Sequence, residues 1–215
     1  MRSLLPRRLS RFLAPVALAL AATWFGVAHA QIAGRNVNMV SGTTLPGGDP
    51  YLQRQNEPSG AVSTRNPLHL LSGANDYRTV DFPGLPEDLN PTGAADDDMA
   101  AVGDAWLGVF KSFDGGSTWR SSLIPGYPQD ASPLGMASPL KGFQAGADAT
   151  VRAGTNGLFY YSGIYFNRGD GGLGAVAVSR FIDNNNAFAK ADDPIAFLGT
   201  TVVERGTKKR FIDKP

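Results

Sequence analysis

The stretch Ser112-Phe113-Asp114-Gly115-Gly116-Ser117-Thr118-Trp119 decides how this chain reads. It packs a carboxylate, adjacent glycines, hydroxyls and an indole into the length of a turn. Asp114 can accept hydrogen bonds from backbone N–H groups two and three residues on, while Gly115 or Gly116 supplies the positive φ that closes such a turn. Ala105 to Lys111 alternates towards it as a strand, with Trp106, Gly108 and Phe110 on one face, and Trp119 to Ile124 leads away as the next. The reading predicts a hairpin with Trp119 folded back as its apolar anchor.

Composition extends this pattern to the whole chain. Gly and Pro supply 26 and 15 of the 215 residues, and the acids are mostly turn-favouring Asp rather than helix-favouring Glu. No segment beyond the N-terminus sustains a 3.6-residue apolar period with caps. An all-β chain with little helix is expected.

The N-terminus has a different character. Arg2, Arg7, Arg8 and Arg11 stand without an acid before an apolar run from Phe12 to Val27, and Ala28-His29-Ala30 closes it, which is the form of a secretory signal peptide over residues 1–30. The expected location is secreted or periplasmic, with no membrane attachment after cleavage. Without the four leader arginines the chain keeps 16 basic against 19 acidic residues, so it is mildly acidic. Its longest basic cluster, Lys208-Lys209-Arg210, is flanked by Glu204 and Asp213, and nucleic acid is not an expected partner. There is no cysteine, which excludes disulfides, thiolate metal sites and a cysteine nucleophile.

Residues 31–57 read as a leading segment rich in Gly, Asn, Pro and Thr, with a short strand over Val37 to Val40. From Pro58 the spacing becomes regular. Gly60 to Thr64 and Leu68 to Asn75 are read as strands around an Arg65-Asn66-Pro67 turn. After a connection carrying Asp96-Asp97-Asp98 come the two strands around the first hairpin. Four strands over 58–125 would be followed by a second set over 146–204, ending with Pro194 to Glu204 as a strand, and by the start of a further one. Leu70-Leu71-Ser72-Gly73 matches Tyr160-Tyr161-Ser162-Gly163, with Arg78 and Arg168 at equal distances beyond. Lys111-x-x-Asp114 with Trp119 matches Arg180-x-x-Asp183 with Phe188. The mismatch between the two offsets places an insertion within residues 79–104 of the first set, on the rim opposite the hairpin turn.

The segment Ser112, Asp114, Gly116, Thr118, Trp119 fits the Asp-box pattern Ser-x-Asp-x-Gly-x-Thr-Trp, and in it the chain resembles the bacterial neuraminidase repeat of sialidase-like proteins. Asp183 and Phe188 would belong to a degenerate second box. The resemblance implies a β-propeller in which each box is a structural turn, and ligands bind on the opposite rim. Two blades and a leading segment would be an incomplete propeller, the N-terminal portion of a longer protein. By the same resemblance, hydrolases of the family clamp a sialate carboxylate with an arginine triad and use a Tyr–Glu nucleophile and an Asp acid. Their Arg-Ile-Pro motif has no counterpart, since Leu123-Ile124-Pro125 lacks the arginine. Arg78, read on a strand, and one of Asp96, Asp97 or Asp98 resemble a clamp and a general acid by chain order. The alternative is an Arg78 paired structurally with Asp76 or with a neighbouring blade.

The remaining motifs carry less. Asp96-Asp97-Asp98 offers oxygen ligands for calcium, though without the spacing of a calcium loop, and no other cofactor is expected. Gly169-Asp170-Gly171-Gly172-Leu173-Gly174 satisfies a dinucleotide pattern, but a strand follows it instead of a helix. His69, read in a strand, has no second histidine or cysteine with which to make a zinc site. Two function classes follow. One is a non-catalytic propeller binding glycan or extracellular protein, or serving as a scaffold. The other is an exo-sialidase or related glycoside hydrolase whose remaining catalytic residues lie in blades beyond this chain.

Overall fold

Among the described residues eight stretches form strands; burial alternates along Leu173–Asp183, whereas Gln55–Val62 and Arg120–Leu123 are mostly polar and are held by their ladders. The computed structural model describes residues 36–51, 53–80, 103–169, 172–185, 193–207 and 209–213. In chain order the strands are β1 (Gln55–Val62), β2 (Leu70–Asp76), β3 (Trp106–Ser112), β4 (Arg120–Leu123), β5 (Ala145–Ala153), β6 (Leu158–Phe166), β7 (Leu173–Asp183) and β8 (Ile195–Thr207). They make two four-stranded sheets, β1-β2-β3-β4 and β5-β6-β7-β8, with every neighbouring pair antiparallel. Each is a simple meander, the form of a propeller blade. Among the described residues the one α-helix, α1, is the single turn Pro133–Met136 between the sheets. The fold is all-β.

The sheets pack face to face because their facing positions are apolar. Phe159, Tyr161, Tyr165, Ala175, Ala177 and Phe181 of the second sheet meet Leu71, Leu107 and Val109 of the first in one buried core. Gly73 makes the approach possible, since a Cβ there would lie 2.4 Å from the Tyr161 ring. With that space open, the Tyr161 hydroxyl donates to the Gly108 carbonyl oxygen at 2.7 Å. Its polar end is thereby satisfied inside the core. Phe159 and Tyr161 thus lie between the sheets; the residues left outward on β6 are those that alternate with them.

Several strand limits differ from the sequence expectation. β1 starts upstream of Gly60 because a bulge between Asn56 and Ser59 absorbs Glu57, with φ 52°, and Pro58, so the ladder resumes at Gln55. Proline is tolerated there because β1 is an edge strand. β8 runs on to Thr207 by taking up two register shifts against β7. Residues 37–40 form no strand. The Val40 N–H donates to Asn38 Oδ1 at 3.1 Å, and Val40 packs instead on Ala74 and Phe110, on the first sheet's face away from the second sheet. Trp106 and Phe110 belong to different packing groups: Phe110 meets Val40, while Trp106 reaches the main core 5.1 Å from Tyr165.

The internal repeat also needs correction. Lys111 pairs with Leu71 and Arg180 pairs with Tyr160, so Tyr160, not Tyr161, is the counterpart of Leu71. A slip of one residue reverses the face on which a side chain stands. Accordingly Gly73 lies against Tyr161 of the second sheet, whereas Gly163 lies against Leu107 of the first. The matched motifs Leu70–Gly73 and Tyr160–Gly163 therefore present opposite faces, and Arg168 is not the positional partner of Arg78.

Candidate functional site

The hairpin turn spends its polar groups on itself. Ser112 Oγ donates to Asp114 Oδ1 at 2.9 Å and accepts from Gly116 N at 2.8 Å. Asp114 accepts from Thr118 N at 2.8 Å and from Thr118 Oγ1 at 2.6 Å, and Trp119 Nε1 donates to Gly116 O at 3.0 Å. Gly115 and Gly116 hold φ of 71° and 92°. The Thr118 hydroxyl and amide lower the Asp114 pKa below its ordinary value.

Asp183 is placed differently. Its carboxylate is buried, with Oδ1 accepting from His69 Nδ1 at 2.9 Å and from Asn185 N at 2.7 Å, and Oδ2 accepting from Ser63 Oγ at 2.5 Å. Burial opposes ionisation, but the Ser63 and His69 hydrogen bonds outweigh it and hold the pKa below 3.8. His69 precedes β2 rather than lying in it, and its Nε2 faces Asn66 Nδ2 at 3.2 Å. A Ser–His–Asp set is present, but serine and histidine bind different oxygens of one carboxylate. The imidazole is therefore not positioned to take the Ser63 proton, as nucleophilic catalysis requires. The cluster bolts the β1–β2 turn to the end of β7, with Arg65 Nη1 on Asp183 O at 2.9 Å as a further tie.

Arg78 stands in the turn after β2, not on a strand. Its side chain is fully buried, with Nη2 donating to Asp76 Oδ2 at 2.5 Å and Nη1 donating to the carbonyls of Pro46 at 2.8 Å and Gly47 at 3.2 Å. The guanidinium lies 5.6 Å from the centre of the Phe110 ring. Arg78 thus pins residues 46 and 47 to the first sheet and presents no free edge to solvent.

The rim on which the β2–β3 connection emerges is opposite the hairpin turn, because the connection leaves from the Asp76–Trp106 end of the ladder and the turn closes the Ser112 end. An open cleft of about 500 Å³ lies on this rim, between Asp104, Pro128, Lys141, Phe143, Gln144 and Arg168. The Arg168 side chain is 68% exposed. Its Nε and Nη2 donate to Asp104, its guanidinium sits 5.3 Å from the Phe166 ring centre, and its backbone N–H donates to Gln144 Oε1 at 2.8 Å. The Asp104 hydrogen bonds raise the Arg168 pKa and keep the group cationic. Lys141 is not free to join it, since its ammonium donates to the carbonyls of Tyr127, Pro128 and Asp130 at 3.2, 2.9 and 2.8 Å.

No family model matches the chain, and no curated protein is similar to it. A solved sialidase of Trypanosoma rangeli, in complex with the inhibitor DANA, is similar over 72% of this chain at 14% identity and a TM-score of 0.33. The chain spans 20% of the length of that sialidase.

Of the residues singled out from sequence, Ser112, Asp114, Gly116, Thr118 and Trp119 come together in one hydrogen-bonded turn, and Asp183 does not copy it. Asp96, Asp97, Asp98 and Phe188 lie outside the described residues. Among the described residues no group of three His, Asp or Glu side chains is placed to hold a metal ion. Sequence reasoning missed the roles of Ser63, His69, Asp104 and Gln144. Asp104 and Arg168 meet across 64 positions of chain, and the repeat that marks Arg168 does not point to Asp104.

Proposed function

We propose that this chain is an exported, sialidase-like Asp-box propeller module that binds glycan or extracellular protein and does not cleave glycosides. The observation that carries the reading is the burial of Arg78 against Asp76. The arginine that chain order offers as a carboxylate clamp is already paired, and turning it to a substrate would leave a buried acid uncompensated. Recognition falls to the rim opposite the hairpin turn. There Arg168, cationic and open on one side, stands beside Gln144 and Phe143 in a cleft wide enough for a sugar ring, a combination suited to carboxylates and hydroxyls. Export is proposed from the arginine-rich start, apolar run and Ala28-His29-Ala30 of the leader.

The test uses the purified chain on a glycan array and on a fluorogenic sialoside. Retention on acidic glycans that falls at least fivefold in Arg168→Ala, with no turnover above the blank, is the expected result. Turnover that survives repurification would restore the hydrolase reading. Retention unaffected by Arg168→Ala would remove the cleft from the proposal.

A further inference from the structure

The segment joining the two sheets crosses the rim that carries the Arg168 cleft. β4 leaves its sheet beside the start of β3, where Ile124 N–H donates to Leu107 O at 2.9 Å, and β5 begins where Gly146 N–H donates to Ala105 O at 2.9 Å. Within this segment residues 131–140, Ala-Ser-Pro-Leu-Gly-Met-Ala-Ser-Pro-Leu, carry no charge. The turn α1 stands out from it, with Leu134 53% and Met136 60% exposed and Pro133, Ala137 and Pro139 exposed beside them. Packing of sheet upon sheet covers faces and not rims, so it leaves this loop outward.

The polar groups of the loop are turned the other way. Ser132, Gly135, Met136, Ala137, Ser138 and Leu140 donate their backbone N–H groups to Asp130 Oδ1, Ser132 Oγ, Ser132 O, Pro133 O, Gly135 O and Ser138 Oγ respectively. Pro133 and Pro139 have no N–H to satisfy. The hydroxyls of Ser132 and Ser138 also donate inward, to Asp130 Oδ1 and Pro125 O, each at 2.7 Å. The bordering charges follow them, since Asp130 is 5% exposed and the Lys141 ammonium is spent on three carbonyls. Gly135 lets the turn sit down on Asp130, because a Cβ there would lie 2.0 Å from that carboxylate. Leu134 and Met136, on either side of it, are the side chains left to the surroundings.

A groove on a partner protein brings donors and acceptors of its own. Hydrocarbon brings none, so a segment that enters it must satisfy its backbone internally. A second copy of this chain would meet α1 with the same convex turn and bury little area. From the loop we infer that residues 131–139 form a wedge that seats in a phospholipid surface, with Leu134 and Met136 at acyl-chain level and both sheets in water. One helical turn reaches into the interface and spans nothing, so the contact is peripheral and reversible. It does not use the leader and does not depend on the Arg168 cleft.

The chain has no cysteine, so a single one can carry a probe. Leu134→Cys, labelled with an environment-sensitive nitrobenzoxadiazole, is mixed with vesicles of phosphatidylethanolamine and phosphatidylglycerol, and separately with vesicles of phosphatidylcholine alone. The expected result on both is a blue-shifted emission, quenched by acyl-chain-brominated lipid about threefold or more beyond the same label at Ser117→Cys in the hairpin turn of the opposite rim. Met136→Asp added to the labelled chain should remove the shift, and a label at Met136→Cys should reproduce it. Each variant is checked for an unaltered thermal midpoint. Because the readout is local to the loop, binding through the apolar run of the leader does not mimic it. A label that stays in water on both compositions overturns the inference and leaves a protein groove as the occupant. Equal quenching at position 117, a shift confined to the anionic vesicles and lost in salt, or a shift without vesicles that grows with chain concentration would each overturn it as well, the last by making the loop a contact between copies.

Discussion

His69 donates its Nδ1 proton to Asp183 across the junction of the two sheets, at 2.9 Å and with neither side chain appreciably exposed. Ionised Asp183 can only accept, so Nδ1 is the donor of that bond, and the contact of Nε2 with Asn66 Nδ2 at 3.2 Å holds the ring from its other side.

Breaking this junction should therefore be costly. His69→Ala leaves a buried carboxylate short of a donor, and a loss of about 2–4 kcal/mol is expected. Urea denaturation followed by tryptophan fluorescence measures it; a midpoint within error of the parent would show that the sheets are held by apolar contact alone.

The same carboxylate makes stability depend on acid. Asp183 has a folded-state pKa below 3.8, as does Asp130, whose burial is outweighed by hydrogen bonds from Ser132 and Gly126. A depressed carboxylate pKa stabilises the folded chain above the ordinary value, and that contribution is lost as pH falls through the lowered one. The urea midpoint should hold between pH 5 and 7 and drop below about pH 4. Asp183→Asn, already weakened, should show a shallower drop.

Gly73→Ala should cost about 1–3 kcal/mol through crowding against Tyr161. In the Tyr161→Ala background the same substitution should cost under half as much, because the ring it strikes is gone. Additive losses would place the strain elsewhere.

Arg78 and Arg168 should part company on mutation. Arg78→Met strands buried Asp76 and is expected to cost about 3–5 kcal/mol, whereas Arg168→Ala, at an exposed pair, is expected to cost under about 1 kcal/mol. Thermal midpoints of the two variants decide it.

Ser112→Ala removes the buried hydroxyl that bridges Asp114 and Gly116 N in the hairpin turn. A loss of about 1–2 kcal/mol is expected, with hydrogen exchange at the Gly116 amide accelerating more than at the Tyr161 amide.

What was legible in the sequence was local. The Ser112–Trp119 turn announces itself because donor, acceptor and glycines lie within eight residues, and the strands beside it announce themselves by alternation. The repeat could be seen but not registered: Leu70–Gly73 and Tyr160–Gly163 look alike as strings, yet β pairing, which a single chain does not spell out, displaces them by one residue and turns them to opposite faces. The Ser63–His69–Asp183 bolt was hidden for a related reason. Asp183 lies more than 100 positions from both Ser63 and His69, and no spacing rule links a turn of one sheet to a strand end of the next. Arg78 and Asp76 were paired correctly as an alternative because they are only two residues apart.

Lys141 gives the segment between the sheets a built-in cation. Three carbonyl oxygens converging on one positive charge is an arrangement that many extracellular loops complete with a mineral ion drawn from the medium. Here the charge is covalently attached, so these three carbonyls are gathered without a dissolved cation.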